Sequence, residues 1–264
     1  MIVHTGIMRS GTTWLELMVA ALTQSTIVHM GGCHKWPPEI LREFLNLNKR
    51  MPLSIRDHFR PSAHALFQEF RFPVIFVYRH PADVVTSLHY HLMDKCPDQY
   101  DGDFAKTLDH FQWVADAIGW RMLPNVFVTR YEDLSRNPIE VLTGLGDYLG
   151  APFKKERIRR AVEPRLFERM FKRKPGVEDR HHWGRKGVIG DHKSFLIGDR
   201  LRMWGERYPG IAEEWGYDET AANECPQPAS PAGPDDADTR SGPLKHALEV
   251  SGKFIGRLLG RRAA

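Results

Sequence analysis

Apolar residues along the chain follow two alternating rhythms. Short β-branched runs at residues 2–5, 74–78 and 126–129 read as compact strands, apolar enough to be covered on both sides. Between and after them the apolar positions recur every three to four residues, which predicts helices over 12–23, 82–93, 103–122 and 138–149. Pro138 suits the first turn of the last helix and Gly150 suits its end. Alternation of this kind predicts an α/β fold of three layers, a central parallel β-sheet flanked by helices. The stretch between the first helix and Val74 follows neither rhythm. It carries Trp36, Pro37, Pro38, Phe44, Leu45 and four histidines, His29, His34, His58 and His64. It reads equally as a wall enclosing a substrate and as a plain structural insertion.

After Tyr217 the pattern changes. Pro226, Pro228, Pro231 and Pro234 with Asp235, Asp236 and Asp238 read as a flexible linker over 218–242, and 1–217 is expected to be the one globular domain. In 243–264, Leu244, Ala247, Leu248, Ile255, Leu258 and Leu259 return at helical spacing among cations. That segment reads as a basic amphipathic helix touching a membrane surface or partner, or as a solvated tail. It also explains the net charge of +4, because Lys245, Lys253, Arg257, Arg261 and Arg262 oppose only Glu249 there. The rest is balanced, which argues against a general nucleic-acid surface. The 42% hydrophobic and 27% charged content is that of a globular chain. The N-terminus shows no signal-peptide pattern, and no apolar run is long enough to span a bilayer. Cys33, Cys96 and Cys225 are far apart and lack metal-ligand spacing, so free thiols and a cytoplasmic location are expected.

The chemistry begins at Gly6-Ile-Met-Arg-Ser-Gly11-Thr-Thr13. Two glycines at P-loop spacing, after a strand and before a helix, predict a P-loop-like phosphate cradle of backbone N–H groups at a helix start. A triphosphate-binding loop would place lysine where Thr12 stands. Arg9 supplies a cation three residues earlier, and Ser10, Gly11, Thr12 and Thr13 offer donors, so the loop suits a nucleotide without a γ-phosphate and without a metal.

The run Arg9-Ser-Gly-Thr-Thr-Trp14-Leu15 resembles the 5'-phosphosulfate loop of sulfotransferases that use 3'-phosphoadenosine 5'-phosphosulfate (PAPS), with arginine for the family's usual lysine. Phe76-Val-Tyr-Arg79-His-Pro81-Ala-Asp83-Val-Val-Thr-Ser87 is similar to the family's 3'-phosphate segment, which implies Arg79 and Ser87 as ligands. Arg130-Tyr131-Glu132-Asp133-Leu134 resembles the segment whose tyrosine lies near adenine. Arg185-Lys186-Gly187-Val-Ile-Gly190-Asp191-His192-Lys193 resembles the late loop that closes over the cofactor, with His192 for the usual tryptophan. Phe167 matches the aromatic that stacks on adenine, with Trp14 on the other face.

The resemblance implies transfer of a sulfuryl group from PAPS, leaving PAP, to a hydroxyl of a small-molecule or lipid-like acceptor. It implies His58, in Arg56-Asp57-His58-Phe59-Arg60, as general base, with His64 as competitor and Arg56 in place of a nearby family lysine. Arg9 is implied as the cation on the leaving group. The family's dimer signature is absent after Lys193, so oligomeric state stays open. Family members usually carry a segment before the first strand, so the acceptor pocket is more open here or the start lies further upstream. The alternatives are a small-molecule kinase of the same fold and a nucleotide-binding module without catalysis.

Overall fold

The computed structural model describes residues 1–217; the expected linker and basic amphipathic segment lie outside the described residues. Five strands, β1 (Ile2–Gly6), β2 (Thr26–His29), β3 (Leu53–Arg56), β4 (Val74–Tyr78) and β5 (Val126–Arg130), form one sheet in the order β2-β3-β1-β4-β5. Every neighbouring pair is parallel. In chain order the helices are α1 (Thr12–Thr23), α2 (Pro38–Asn48), α3 (His64–Glu69), α4 (Pro81–Lys95), α5 (Phe104–Ala115) and α6 (Tyr131–Arg136). They continue as α7 (Pro138–Tyr148), α8 (Lys155–Val162), α9 (Phe167–Phe171), α10 (His192–Phe195), α11 (Asp199–Arg207) and α12 (Ile211–Glu214).

Side chains alternate across a strand, and β4 shows how that divides the core. Val74, Phe76 and Tyr78 join a cluster with Phe44 and Leu45 of α2, Leu88 of α4, Phe111 of α5 and Trp204 of α11. Ile75 and Val77 face the other way, against Leu15, Met18 and Leu22 of α1, Leu142 and Leu145 of α7 and Ile158 of α8. Each fully buried Leu, Ile or Phe stabilises the fold by about 1.5–3 kcal/mol, so both faces of the sheet carry the fold. This is the three-layer α/β architecture that the sequence predicts.

Two expectations change. The irregular stretch before Val74 is more than an insertion: it supplies β2 and β3, which extend the sheet beyond β1, and α2, whose Phe44 and Leu45 are core, while His29, His34 and His58 of the same stretch line a cleft. Trp36 packs edge-on against Phe44 at 6.0 Å. The helix expected over 103–122 ends at Ala115, and residues Asp116–Met122 tighten into 3-10 turns. There the fully buried Trp120 donates its indole N–H to the Phe59 carbonyl at 2.7 Å.

A parallel sheet presents the C-terminal ends of all its strands on one edge, where ligands of such folds collect. β1 leads into the loop before α1, β3 into Asp57 and His58, β4 into Arg79 and His80, and β5 into Tyr131. The order β2-β3-β1-β4-β5 puts β1 at the point where the chain's course reverses, so its loop lies between the other three.

Candidate functional site

These loops surround a cleft of about 520 Å³. Arg9, Gly11, Thr12, Thr13, Trp14, Arg56, His58, Arg79, Ser87, Tyr131, Phe167, Arg185, Lys186 and Gly187 all line it. Ser10 lies in the same loop, fully buried. His64 is elsewhere: its Nε2 is 2.9 Å from the Pro124 carbonyl oxygen and its ring meets Trp120 edge-on. Trp36 and Phe44 do not line the cleft either.

The β1–α1 loop reaches its shape through two left-handed residues, Arg9 at φ 69° and Gly11 at φ 82°. Gly11 is required twice over, since a Cβ there would sit 2.8 Å from the Tyr131 ring. The Ser10 and Thr12 hydroxyls are buried without a hydrogen-bond partner. Arg79 Nε and Arg185 Nε are in the same condition, although other nitrogens of both guanidiniums are engaged. Buried polar groups rarely stay unpaired, and hydroxyls beside spare guanidinium N–H groups fit a phosphate or sulfate ligand.

Electrostatics point the same way. Burial, followed by repulsion from Arg79 and Arg185, pushes the Arg9 guanidinium down to about 10, which leaves it charged at neutral pH. Its Nε donates to Ser87 Oγ at 3.2 Å and its Nη2 to the Trp183 carbonyl at 3.1 Å. Arg79 lies 4.5 Å above the Tyr131 ring and donates to Asp83 and to the Val188 carbonyl, at 2.9 and 2.6 Å. Burial opposes its charge, but Asp83 and its neighbours raise its pKa overall. Arg185 is held by Glu178 and Asp191, and Lys186 Nζ reaches Asp191 at 2.6 Å. Arg9 is repelled by both Arg79 and Arg185 across the cleft, and an anion placed among them relieves that repulsion.

The β2–β3 half of the cleft is different, lined by Met8, His29, Gly31, Gly32, His34, Asp57 and His58. His58 Nδ1 is 3.0 Å from the Gly6 carbonyl oxygen. A carbonyl only accepts, so Nδ1 carries the hydrogen and Nε2 keeps its lone pair. Burial lowers the His58 pKa against the opposing Gly6 and Asp57 contributions, so the ring is neutral at pH 7. Arg56 lines the cleft with its charge committed, because its Nε meets Glu16 Oε2 at 2.6 Å.

Several residues that organise this cleft carry no signal in the local sequence. Asp57 accepts from the His34 backbone N–H at 2.9 Å and from its own neighbour's, His58, at 2.8 Å, and its carboxylate lies 3.1 Å from His34 Nδ1. His91, lowered to about 4 by burial and then by Arg9, also lines the cleft, as does Trp183. Asp83 sits inside a recognised motif, but nothing in that motif shows that it reaches the 188–192 loop. Among the described residues no group of His, Cys, Asp or Glu is arranged to hold a metal ion, and no helix is long and apolar enough to cross a membrane.

Comparison with known proteins gives concordant results. A family model described as a sulfotransferase domain matches residues 2–201. Sulfotransferase 6B1 of Danio rerio is 24% identical over 189 residues, covering 65% of this chain and 62% of its own length. Sulfotransferase 2B1 of Mus musculus is 28% identical over 182 residues, covering 60% and 54% respectively. The chain thus spans less than two thirds of either relative. Among solved structures, mouse sulfotransferase SULT7A1 complexed with PAP superposes with a TM-score of 0.64 at 18% identity, over 81% of this chain and 87% of that one. Retinol dehydratase in complex with androsterone and inactive cofactor PAP gives 0.54 at 16% identity, over 81% and 78%.

Proposed function

The chain belongs to the sulfotransferase family, and from that premise we propose that it transfers the sulfuryl group of PAPS to a hydroxyl of a small-molecule acceptor. The observation that carries this reading is the convergence of Arg9, Arg79 and Arg185 on a cleft whose loop hydroxyls, Ser10 and Thr12, are buried and unpaired.

In this reading the β1–α1 loop takes the 5'-phosphosulfate, and Arg79, Ser87, Arg185 and Lys186 take the 3'-phosphate. Trp14, Tyr131 and Phe167 flank the adenine, and Gly187 lets the late loop approach Phe167. His58 Nε2 removes the hydroxyl proton as the acceptor oxygen bonds to sulfur. The bond from sulfur to the bridging oxygen breaks, and PAP departs with that oxygen. Arg9 stabilises the charge growing there, which is positioning and electrostatics rather than covalent chemistry. Arg56, fixed by Glu16, adds positive potential on the His58 side. The histidines and Asp57 of the β2–β3 half suit an acceptor that presents polar groups beside its reacting hydroxyl.

The test is thermal stabilisation by PAP beside 5'-AMP and ATP with magnesium. A ligand of the folded state present at 100 times its Kd stabilises by about 2.7 kcal/mol, or roughly 5–10 °C for a chain this size. PAP alone is expected to give such a shift, and labelled-sulfate transfer to a panel of hydroxyl acceptors then identifies the acceptor. A shift with magnesium-ATP alone would move the protein to the kinase class, and PAP binding without transfer to any acceptor would leave a binding module.

A further inference from the structure

His192, which stands where the resembled family usually has tryptophan, is outside the cleft lining yet joined to it through one carboxylate. Asp83, in the first turn of α4, is 1% exposed and receives four hydrogen bonds. Oδ2 accepts from Arg79 Nη2 at 2.9 Å and from the Gly190 N–H at 2.8 Å. Oδ1 accepts from the His192 backbone N–H at 3.0 Å and from His192 Nδ1 at 2.7 Å. Four donors saturate a carboxylate, so Asp83 has no capacity left for a ligand and acts only through what it holds.

What it holds is the cation of one segment and the closing loop of another, more than 100 residues apart in sequence. Arg79 is tied to the loop a second time, by its bond to the Val188 carbonyl at 2.6 Å. Arg185 and Lys186, at the start of the same loop, line the cleft with Arg79. The His192 ring is itself fixed, stacked on His80 at 4.7 Å with the planes 6° apart. His80 is anchored in turn, its Nδ1 accepting the Ala82 N–H at 3.3 Å.

We propose that His192 is a positioning residue for the 3'-phosphate subsite: through Asp83 it locks the 185–193 loop and Arg79 into the one arrangement that presents their cations together. This rests on the donor assignment made above. Its consequence is selective. Loosening the loop disperses the charges that meet a 3'-phosphate but leaves the β1–α1 loop, which meets the 5' side, as it was.

Calorimetric titration of the full chain with PAP and with 5'-AMP reads that selectivity, since the two differ by the 3'-phosphate. Losing a hydrogen bond to a charged group is expected to lower PAP affinity about tenfold or more in His192→Ala. Affinity for 5'-AMP stays within about twofold, and His192→Asn, whose side-chain amide can donate to Asp83, recovers most of the PAP affinity. Asp83→Asn should show the same PAP-specific loss; if it does not fold, the two His192 variants decide alone. Equal losses for both nucleotides, unchanged PAP affinity in His192→Ala, or no recovery in His192→Asn would each overturn the proposal. Failure of the donor assignment is separately visible, because the unmodified protein would then show no preference for PAP over 5'-AMP, and the role of His192 would fall with it.

Discussion

Glu16 and Arg56 form a buried ion pair of 2.6 Å between α1 and the end of β3, with Glu16 1% exposed. The pair carries the β2–β3 half of the cleft, because Arg56 precedes Asp57 and His58 in the chain. Above pH 7, where Glu16 carries its charge, removing Arg56 leaves that charge uncompensated, and Arg56→Met is expected to destabilise by about 3–5 kcal/mol in denaturant unfolding at alkaline pH, and by less at pH 5, where Glu16 is protonated.

The same pair sets a pH dependence. Burial pushes the Glu16 carboxyl up to about 7, against the opposing pull of Arg56. A carboxyl raised in the folded state binds more protons there than in the unfolded chain between its ordinary value near 4.5 and 7. Its contribution to stability is therefore complete below pH 4.5 and is lost as pH rises through 7. Glu16→Gln removes this loss. The stability of the natural chain relative to Glu16→Gln is expected to fall by about 3 kcal/mol between pH 4.5 and pH 7.5. A difference that stays constant across that range would show that Glu16 is ionised throughout.

How much of this was readable in advance follows from where each contact lies in the chain. β1, β4 and β5 announce themselves because strands buried on both faces must be apolar throughout, as in Val74-Ile-Phe-Val-Tyr78. β2 and β3 do not, since Thr26-Ile-Val-His29 and Leu53-Ser-Ile-Arg56 are four residues long and half polar, and β2 is a partly exposed edge. Much of the cleft lining was legible because Arg9 to Trp14, Arg79 and Tyr131 stand in short motifs at strand ends, and Arg185, Lys186 and Gly187 in one further motif late in the chain. The groups that hold those motifs in place were not. Asp83 meets Gly190 and His192, and Glu16 meets Arg56, across separations that only the folded chain closes. Nor does local sequence show that Phe44 of α2 turns into the core while His29, His34 and His58 of the same irregular stretch line the cleft.

Gly187 tests the late loop from the other side. It adopts φ 65°, and a Cβ there would overlap the Phe167 ring. Strain of this kind costs about 1–3 kcal/mol, so Gly187→Ala is expected to weaken PAP binding by roughly tenfold. In a Phe167→Ala background the clash is gone, and the second substitution should then add only the cost of the left-handed backbone. Full additivity of the two changes would mean that ring and loop do not meet when the nucleotide binds.

His58 is expected to govern the acid limb of the rate. A base must be unprotonated, so turnover rises with pH through the His58 pKa, and burial places that value below its ordinary 6.5. Turnover should accordingly be independent of His58 ionisation above about pH 7. His58→Ala is expected to lower kcat by about 10²–10⁴-fold with PAP affinity unchanged, whereas His64→Ala leaves both unchanged. A large loss in His64→Ala alone would transfer the role to a residue that lies outside the cleft.

Arg9 separates binding from chemistry. It is one of several cations around the cleft, with Arg79, Arg185 and Lys186, so deleting it removes a modest share of the attraction for PAP. Its place in the β1–α1 loop, bonded to Ser87 Oγ and to the Trp183 carbonyl, puts it on the proposed 5' side, where the leaving oxygen gains charge only as the bond breaks. Loss of an interaction made mainly in the transition state lowers kcat more than it lowers affinity. Arg9→Ala is expected to reduce kcat by about 10²–10³-fold and PAP affinity by less than about tenfold. Because Arg9 holds a left-handed backbone at φ 69°, Arg9→Gly is the necessary control, as glycine keeps that conformation without strain. The same drop in kcat for Gly as for Ala assigns the effect to the lost guanidinium. A drop in Ala alone assigns it to a distorted loop, and an equal fall in kcat and PAP affinity would make Arg9 a binding cation with no special part in sulfuryl transfer.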